Sequence, residues 1–184
     1  MQNSDLKALL LNNDGNFRDL LLKRTREASD FDELFTLSTL RRKAHARGLP
    51  RPGIVHDKIR LALIGGYSLY PFRELLGHVC EMESFPCELW TGDFDNYTSE
   101  IMDEAGALYA FAPQVVLLMP SEQRCKYPGK LSDPREMHQA GADHVVESLL
   151  ELIRKNNHHE RPLLLMNMTP NGKSRLNTEN TPLD

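Results

Sequence analysis

The segment KIRLALIGG (residues 58–66) is a short apolar run that ends in a pair of glycines. An apolar run without polar alternation is typical of a strand buried on both faces. The segments CELWTG (87–92), QVVLLMP (114–120) and RPLLLMNM (161–168) share this character, and amphipathic segments separate them. Four buried strands alternating with helices predict an α/β fold with a three-layer, doubly wound parallel sheet.

The first 48 residues have a helical pattern instead, which predicts an N-terminal helical segment. Asn16 and Asp30 are the expected N-caps of the second and third helices, and Gly48 is the expected end of the third. Glu33 is the expected capping partner of Asp30. The third helix should bury an apolar stripe, made of Phe31, Leu34, Phe35, Leu37 and Leu40.

Prolines at positions 50 and 52 cannot continue a helix, so we expect a domain boundary there. The predicted organisation is a helical segment with a Pro-rich linker over residues 1–53, an α/β domain over 54–170 and a disordered tail over 171–184. Residues 133–136 predict the start of a long helix, with proline at its first position. One or two short helices are expected around Ile101 and Leu108.

The composition excludes several classes of protein. The chain has 184 residues and a net charge of −4, with 40% hydrophobic and 26% charged residues, which is ordinary for a globular protein. We expect no nucleic-acid partner, because there is no overall positive charge. This composition also excludes a membrane span. The first residues lack a basic region followed by an apolar run, so we expect no secretory signal and a cytoplasmic location. The 3 cysteines do not suggest a disulfide framework.

In a doubly wound sheet, ligands bind beyond the carboxyl ends of the strands. Three strand exits therefore supply the candidate substrate-binding residues: Gly65, Gly66, Tyr67, Ser121, Glu122 and Asn167. Ser68 follows the glycine pair, where either a nucleophile or a helix cap would lie. Metal binding by His78, Cys80 and Cys87 is not expected, because their spacing matches no structural zinc site, and no cofactor is implied.

The segment IRLALIGGYSL resembles the first block of the SGNH (GDSL-type) hydrolases, with Gly66-Tyr67-Ser68-Leu69 in place of Gly-Asp-Ser-Leu. Residues 93–118 are similar to the N-terminal, SGNH-like half of FkbH-type proteins. The matching positions are Tyr97, Glu100, Ile101, Asp103, Leu108, Tyr109, Phe111, Pro113, Val115 and Val116. The resemblance implies an SGNH or flavodoxin-like sheet and a role beside acyl carrier proteins.

Several family blocks are absent from this sequence. It contains no Asp-x-x-His block to supply the base of a triad, and Pro120-Ser121-Glu122-Gln123 stands in place of Gly-x-Asn-Asp. Asp93 and Asp95 only partly match the DxDxT motif of the haloacid-dehalogenase-like half, because the threonine falls one position late. We therefore interpret them as acids of a solvated loop.

Residues 41–60 carry seven basic side chains and one acid. A helix C-terminus favours cations, which is one explanation. The alternative is a docking surface for an acidic partner, for which the candidates are Arg41, Arg42, Lys43 and Arg47.

These observations favour an SGNH-like domain of the FkbH type that docks a carrier protein or binds a substrate without a complete triad. The expected partner is an acyl carrier protein or a haloacid-dehalogenase-like protein, and a homodimer is also compatible. One alternative is a divergent ester or thioester hydrolase with Ser68 as nucleophile. Another is an inactive fragment of a larger glyceryl-transfer protein.

Overall fold

The computed structural model describes residues 4–49, 58–85, 87–157 and 162–165. They divide into two units, the first within residues 1–60 and 69–89 and the second within residues 61–68 and 90–184. Each unit has its own cluster of buried apolar side chains. The expected linker over residues 50–53 and the expected tail over residues 171–184 lie outside the described residues.

The described residues of the first unit include four helices. They are α1 (Ser4–Leu11), α2 (Phe17–Glu27), α3 (Phe31–Ala46) and α4 (Tyr70–Met82). Leu6, Leu21 and Leu37 are almost completely buried in the core between them. Because each of these helices is short, burial of one apolar face, and not intrinsic propensity, supplies most of its stability.

The ends of α3 confirm that Asp30 caps this helix and that it ends before Gly48. Asp30 accepts a hydrogen bond from the Glu33 N–H at 2.8 Å, and Gly48 adopts a left-handed conformation with φ of 75°. Asn16 is the N-cap residue of α2, as predicted, but its side chain makes no cap hydrogen bond. The expected burial of Phe31 is wrong, because this residue lies at the first position of the helix and is 55% exposed.

A four-stranded parallel sheet has the order β2-β1-β3-β4. The strands are β1 (Ile59–Gly65), β2 (Cys87–Thr91), β3 (Val115–Met119) and β4 (Leu163–Leu165). Leu63 of β1 pairs with Leu117 of β3. The mixed α/β class is therefore confirmed. The order of the strands along the chain reverses between β1 and β3, the kind of position where α/β proteins bind ligands.

The helices of the second unit pack on its apolar cluster. They are α5 (Tyr97–Met102), α6 (Ala107–Phe111) and α7 (Arg135–Asn157), together with a 3-10 turn (Glu122–Cys125). Ile101, Leu108 and Leu152 are buried with the apolar side chains of β1 and β3, as the sequence predicts for the two short helices and the long one. Within the described part of the chain, no helix has both the length and the apolarity needed to cross a membrane.

Candidate functional site

The glycine pair after β1 lies against the residues that follow β3. The Gly66 N–H donates to the Met119 carbonyl at 2.9 Å. A Cβ atom at position 66 would lie 2.7 Å from the Ser121 nitrogen, closer than real Cβ contacts. A glycine is therefore required at position 66 because the chain packs closely on itself there.

A polar network joins the exits of β1, β2 and β3. The Asp95 N–H donates to the Gly65 carbonyl at 3.0 Å, and Asp95 is left-handed with φ of 53°. Arg124 Nε donates to Asp95 Oδ2 at 2.9 Å, and Arg124 Nη2 donates to the Asp95 carbonyl at the same distance. The hydroxyl of Ser121, which is buried, donates a long hydrogen bond of 3.5 Å to Asp95 Oδ1. We call Asp95, Ser121 and Arg124 the crest network.

The charges of the crest network stabilise one another. The hydrogen bond and ion pair with Asp95 raise the pKa of Arg124. The guanidinium carbon of Arg124 lies 5.7 Å from the centre of the Tyr97 ring, within the range of a cation–π contact. Burial is the main cause that raises the pKa of Tyr97. Arg124 is thus a fixed, permanently charged group, and its side chain keeps 50% exposure to solvent.

A cleft of about 350 Å³ opens beside Arg124, between α5, the 3-10 turn and α7. Its lining combines apolar and polar side chains: Tyr97, Thr98, Arg124, Cys125, His144, Val145, Ser148, Leu149 and Leu152. Burial raises the pKa of the Cys125 thiol, which disfavours the nucleophilic thiolate. This cleft, which we name the acyl cleft after the ligand proposed for it in the next subsection, places apolar side chains next to a fixed cation.

Ser68 lies at the surface. Both Ser68 and its neighbour Tyr67 are exposed. The N-cap of α4 is Leu69, so Ser68 is not the helix cap that the sequence allowed. Glu122 begins the 3-10 turn, and Asn167 lies outside the described residues. The structure therefore brings Gly65, Gly66 and Ser121 together.

The described histidines do not form a triad with Ser68. His144 lines the acyl cleft, and the His138 ring packs at an angle against Tyr127 with 4.4 Å between ring centres. His45 and His78 have their partners inside the first unit. A serine hydroxyl needs an adjacent base to become a nucleophile, and among the described residues no hydrogen bond joins Ser68 to a histidine.

The four predicted docking residues have different environments. The Arg41 side chain is only 11% exposed, donates to the Gly77 carbonyl at 2.7 Å and pairs with Glu81 at 3.2 Å. Arg42 pairs with Glu74 at 3.4 Å. Lys43 and Arg47 are exposed, and Arg47 Nη1 donates to the Leu10 carbonyl.

Sequence reasoning missed Asp95 and Arg124 as site residues and interpreted Asp95 as a solvated acid. The available signal was their position, because they follow β2 and β3 at the ligand-binding edge of the sheet. Glu100 was also missed as a structural carboxylate. It accepts the Asp93 N–H at 2.7 Å, and its burial raises its pKa.

Among the residues that the structure describes, no group of three His, Cys, Asp or Glu side chains could hold a metal ion. No family model, no curated protein and no solved structure matches this chain. The acyl cleft and the crest network are therefore interpreted from their own chemistry.

Proposed function

We propose that this protein is a substrate-binding unit that holds an acyl group carried on a phosphopantetheine arm, and that it does not cleave the acyl bond. The observation that carries the proposal is the acyl cleft, in which an apolar wall lies beside the half-exposed guanidinium of Arg124. Asp95 takes the Nε hydrogen and one Nη2 hydrogen of Arg124, and the remaining N–H donors of an arginine fork can bind phosphate oxygens. Arg124 would hold the phosphate, and Leu149 and Leu152 would contact the acyl chain.

The fold supports this proposal at the level of architecture. The strand order β2-β1-β3-β4 agrees with the first four strands of the doubly wound, flavodoxin-like order, whose ligands bind where the order reverses. We assign the chain to a three-layer sheet of this type, as its resemblance to the SGNH-like half of FkbH-type proteins implies. On this proposal, an acyl carrier protein delivers the arm, and a haloacid-dehalogenase-like partner performs the chemistry.

Calorimetric titration with S-octanoyl-4′-phosphopantetheine tests the proposal. We expect saturable binding to the wild-type chain and weaker binding of the arm without its acyl group. The change Arg124→Gln should weaken binding by about 10- to 100-fold, since a hydrogen bond to a charged group contributes roughly 1.5–3 kcal/mol. Arg154→Gln is the matched control, because Arg154 is also an exposed arginine of the second unit but does not line the acyl cleft.

Equal affinity of the wild-type and Arg124→Gln proteins would contradict the proposed phosphate contact. Trp90 offers a second readout, because it is the one tryptophan in the sequence and packs on the same apolar cluster as Leu149 and Leu152. A change in its emission should saturate at the same ligand concentration as the calorimetric signal.

The competing function is ester or thioester hydrolysis by Ser68. The observation in its favour is the position of Ser68, which is exposed after a glycine pair at a strand exit. A fluorophosphonate probe separates the two functions, because it labels only an activated serine. We expect no label on Ser68 and equal thiol release by the wild-type and Ser68→Ala proteins. Label on Ser68 that heat denaturation abolishes would instead establish the hydrolase.

A further inference from the structure

A groove in the first unit, between α1 and the C-terminal end of α3, combines an apolar floor with a basic rim. Its volume is about 450 Å³. We call it the basic groove, and its lining residues are Lys7, Leu10, Leu11, Leu40, Lys43, Ala46 and Arg47. Among the residues that the structure describes, this lining contains three cations and no acid. Leu10 and Leu40 are buried beneath the floor, whereas Leu11 is 67% exposed.

The cations around α3 fall into two sets with different partners. Arg41, Arg42 and His45 pair with acids of α4. Lys7, Lys43 and Arg47, by contrast, have no ion-pair partner among the described residues, although Arg47 hydrogen-bonds the Leu10 carbonyl. Cations near the C-terminal end of a helix stabilise it through the helix dipole. That role does not require an exposed apolar surface beside them. The basic groove is thus a site where positive charge and exposed apolar surface occur together without a partner.

We propose that the basic groove binds an amphipathic acidic helix of a partner protein. The apolar stripe of that helix would cover Leu11 and the floor, a recognition mode that uses residues spaced three and four apart. Its acidic flanks would pair with Lys7 on one side and Lys43 on the other. This inference goes beyond the proposed function, because the basic groove and the acyl cleft belong to different units and neither argument uses the other.

The chemistry of the rim favours a protein helix over other polyanions. Among the described residues, no aromatic side chain lines the basic groove, so they offer no platform on which bases of a single-stranded nucleic acid could stack. Lys43 and Arg47 are four positions apart near the end of α3. Acids spaced by four on one face of a helix match this spacing.

The test uses the full chain and a fluorescein-labelled peptide of about 18 residues, five helical turns, with a leucine stripe flanked by glutamates. Fluorescence anisotropy measures its affinity. Two control peptides have the same composition in scrambled order, or lysine in place of glutamate. We expect the patterned acidic peptide to bind at least about tenfold more tightly than either control, because both the stripe and the charges contribute.

Variants of the protein locate the site. Lys7→Glu combined with Lys43→Glu should weaken binding by about tenfold or more, and added salt should reduce the affinity of the wild-type chain. Leu11→Ala should weaken binding by about fivefold, since it removes exposed apolar surface without opening the core. The control Lys23→Glu reverses a charge of the same unit that is 69% exposed and outside the groove, and it should leave affinity unchanged. Far-UV circular dichroism of each variant checks that the helices are retained.

Three results would overturn the proposal. The scrambled peptide could bind as tightly as the patterned one, which would show charge attraction without a groove. The chain could dimerise in sedimentation experiments and lose the dimer on the double reversal, which would make a second copy the occupant. It could also bind vesicles of anionic phosphatidylglycerol through the same lysines while ignoring the peptide. Arg124→Gln should not affect peptide binding, so the two proposals can fail separately.

Discussion

Lowering the pH from 7 to 5 should reduce the stability of the first unit by about 2 kcal/mol through one buried side chain, His78. Its side chain has 0% exposure. The Thr25 hydroxyl donates a hydrogen bond to the Leu21 carbonyl at 2.8 Å. Its oxygen therefore accepts a hydrogen bond from the N–H at His78 Nε2, at 2.9 Å. His78 Nδ1 is buried with no hydrogen-bond partner among the described residues. The neutral ring therefore fits this environment, and the charged ring does not.

The magnitude follows from the difference in pKa between the two states. Burial, assisted by the positive charge of Arg41, lowers the pKa of His78 from 6.5 to about 4. A lowered histidine pKa means that the unfolded chain binds the proton more readily, so stability is present above 6.5 and is lost as the pH falls toward 4. The full loss is roughly 3 kcal/mol at about 1.4 kcal/mol per unit, of which about 2 kcal/mol falls between pH 7 and pH 5.

Urea unfolding followed by far-UV circular dichroism at pH 7, 6 and 5 measures this loss. His78→Gln retains a donor for the Thr25 hydroxyl but cannot titrate in this range. It should lose about 2 kcal/mol less than the wild-type chain on acidification, whatever its stability at pH 7. If both proteins lost the same free energy of unfolding between pH 7 and pH 5, the assignment of this pH dependence to His78 would be refuted.

Three further outcomes are expected. Gly66→Ala should lower the free energy of unfolding by about 1–3 kcal/mol through overpacking. The control Gly15→Ala should not, because its Cβ would meet open space. Equal denaturation midpoints of the two variants would contradict the close approach of Gly66 to Ser121. Asp30→Ala should cost about 1 kcal/mol in thermal or urea unfolding, because the Glu33 N–H loses its cap, and Asp30→Asn should retain most of that stability. Cys80, whose burial raises its thiol pKa to about 12, should be the slowest cysteine to react with iodoacetamide by peptide mass spectrometry; rapid labelling in the folded protein would contradict its burial.

The features that the sequence predicts well are those with local causes. The apolar runs of β1 and β3 indicate buried parallel strands, and the structure pairs them in register, with Leu63 opposite Leu117. The capping acid Asp30 and the terminating Gly48 act within one helical turn, so a short pattern is sufficient to place them. The α/β class could be predicted for the same reason, because each apolar run is a local pattern.

The features that it predicts poorly depend on contacts between distant segments. Asp95 and Arg124 are 29 positions apart, and no local pattern indicates that a loop acid and a turn cation will pair. The four docking candidates look equivalent in sequence, yet a glutamate on α4 neutralises Arg41, while Lys43 remains exposed. Tertiary packing decides which cation pairs with which acid, and neither composition nor periodicity contains that information.

The close packing of Gly66 on Ser121 also constrains how this sequence can evolve. A side chain at position 66 would collide with the backbone and side chain of Ser121, so the two positions behave as one steric unit. Neither can enlarge alone, and a bulkier residue at position 121 would have no smaller neighbour to compensate for it. In a library randomised at both positions and selected for folding, we expect to recover only glycine at position 66 and only small residues at position 121.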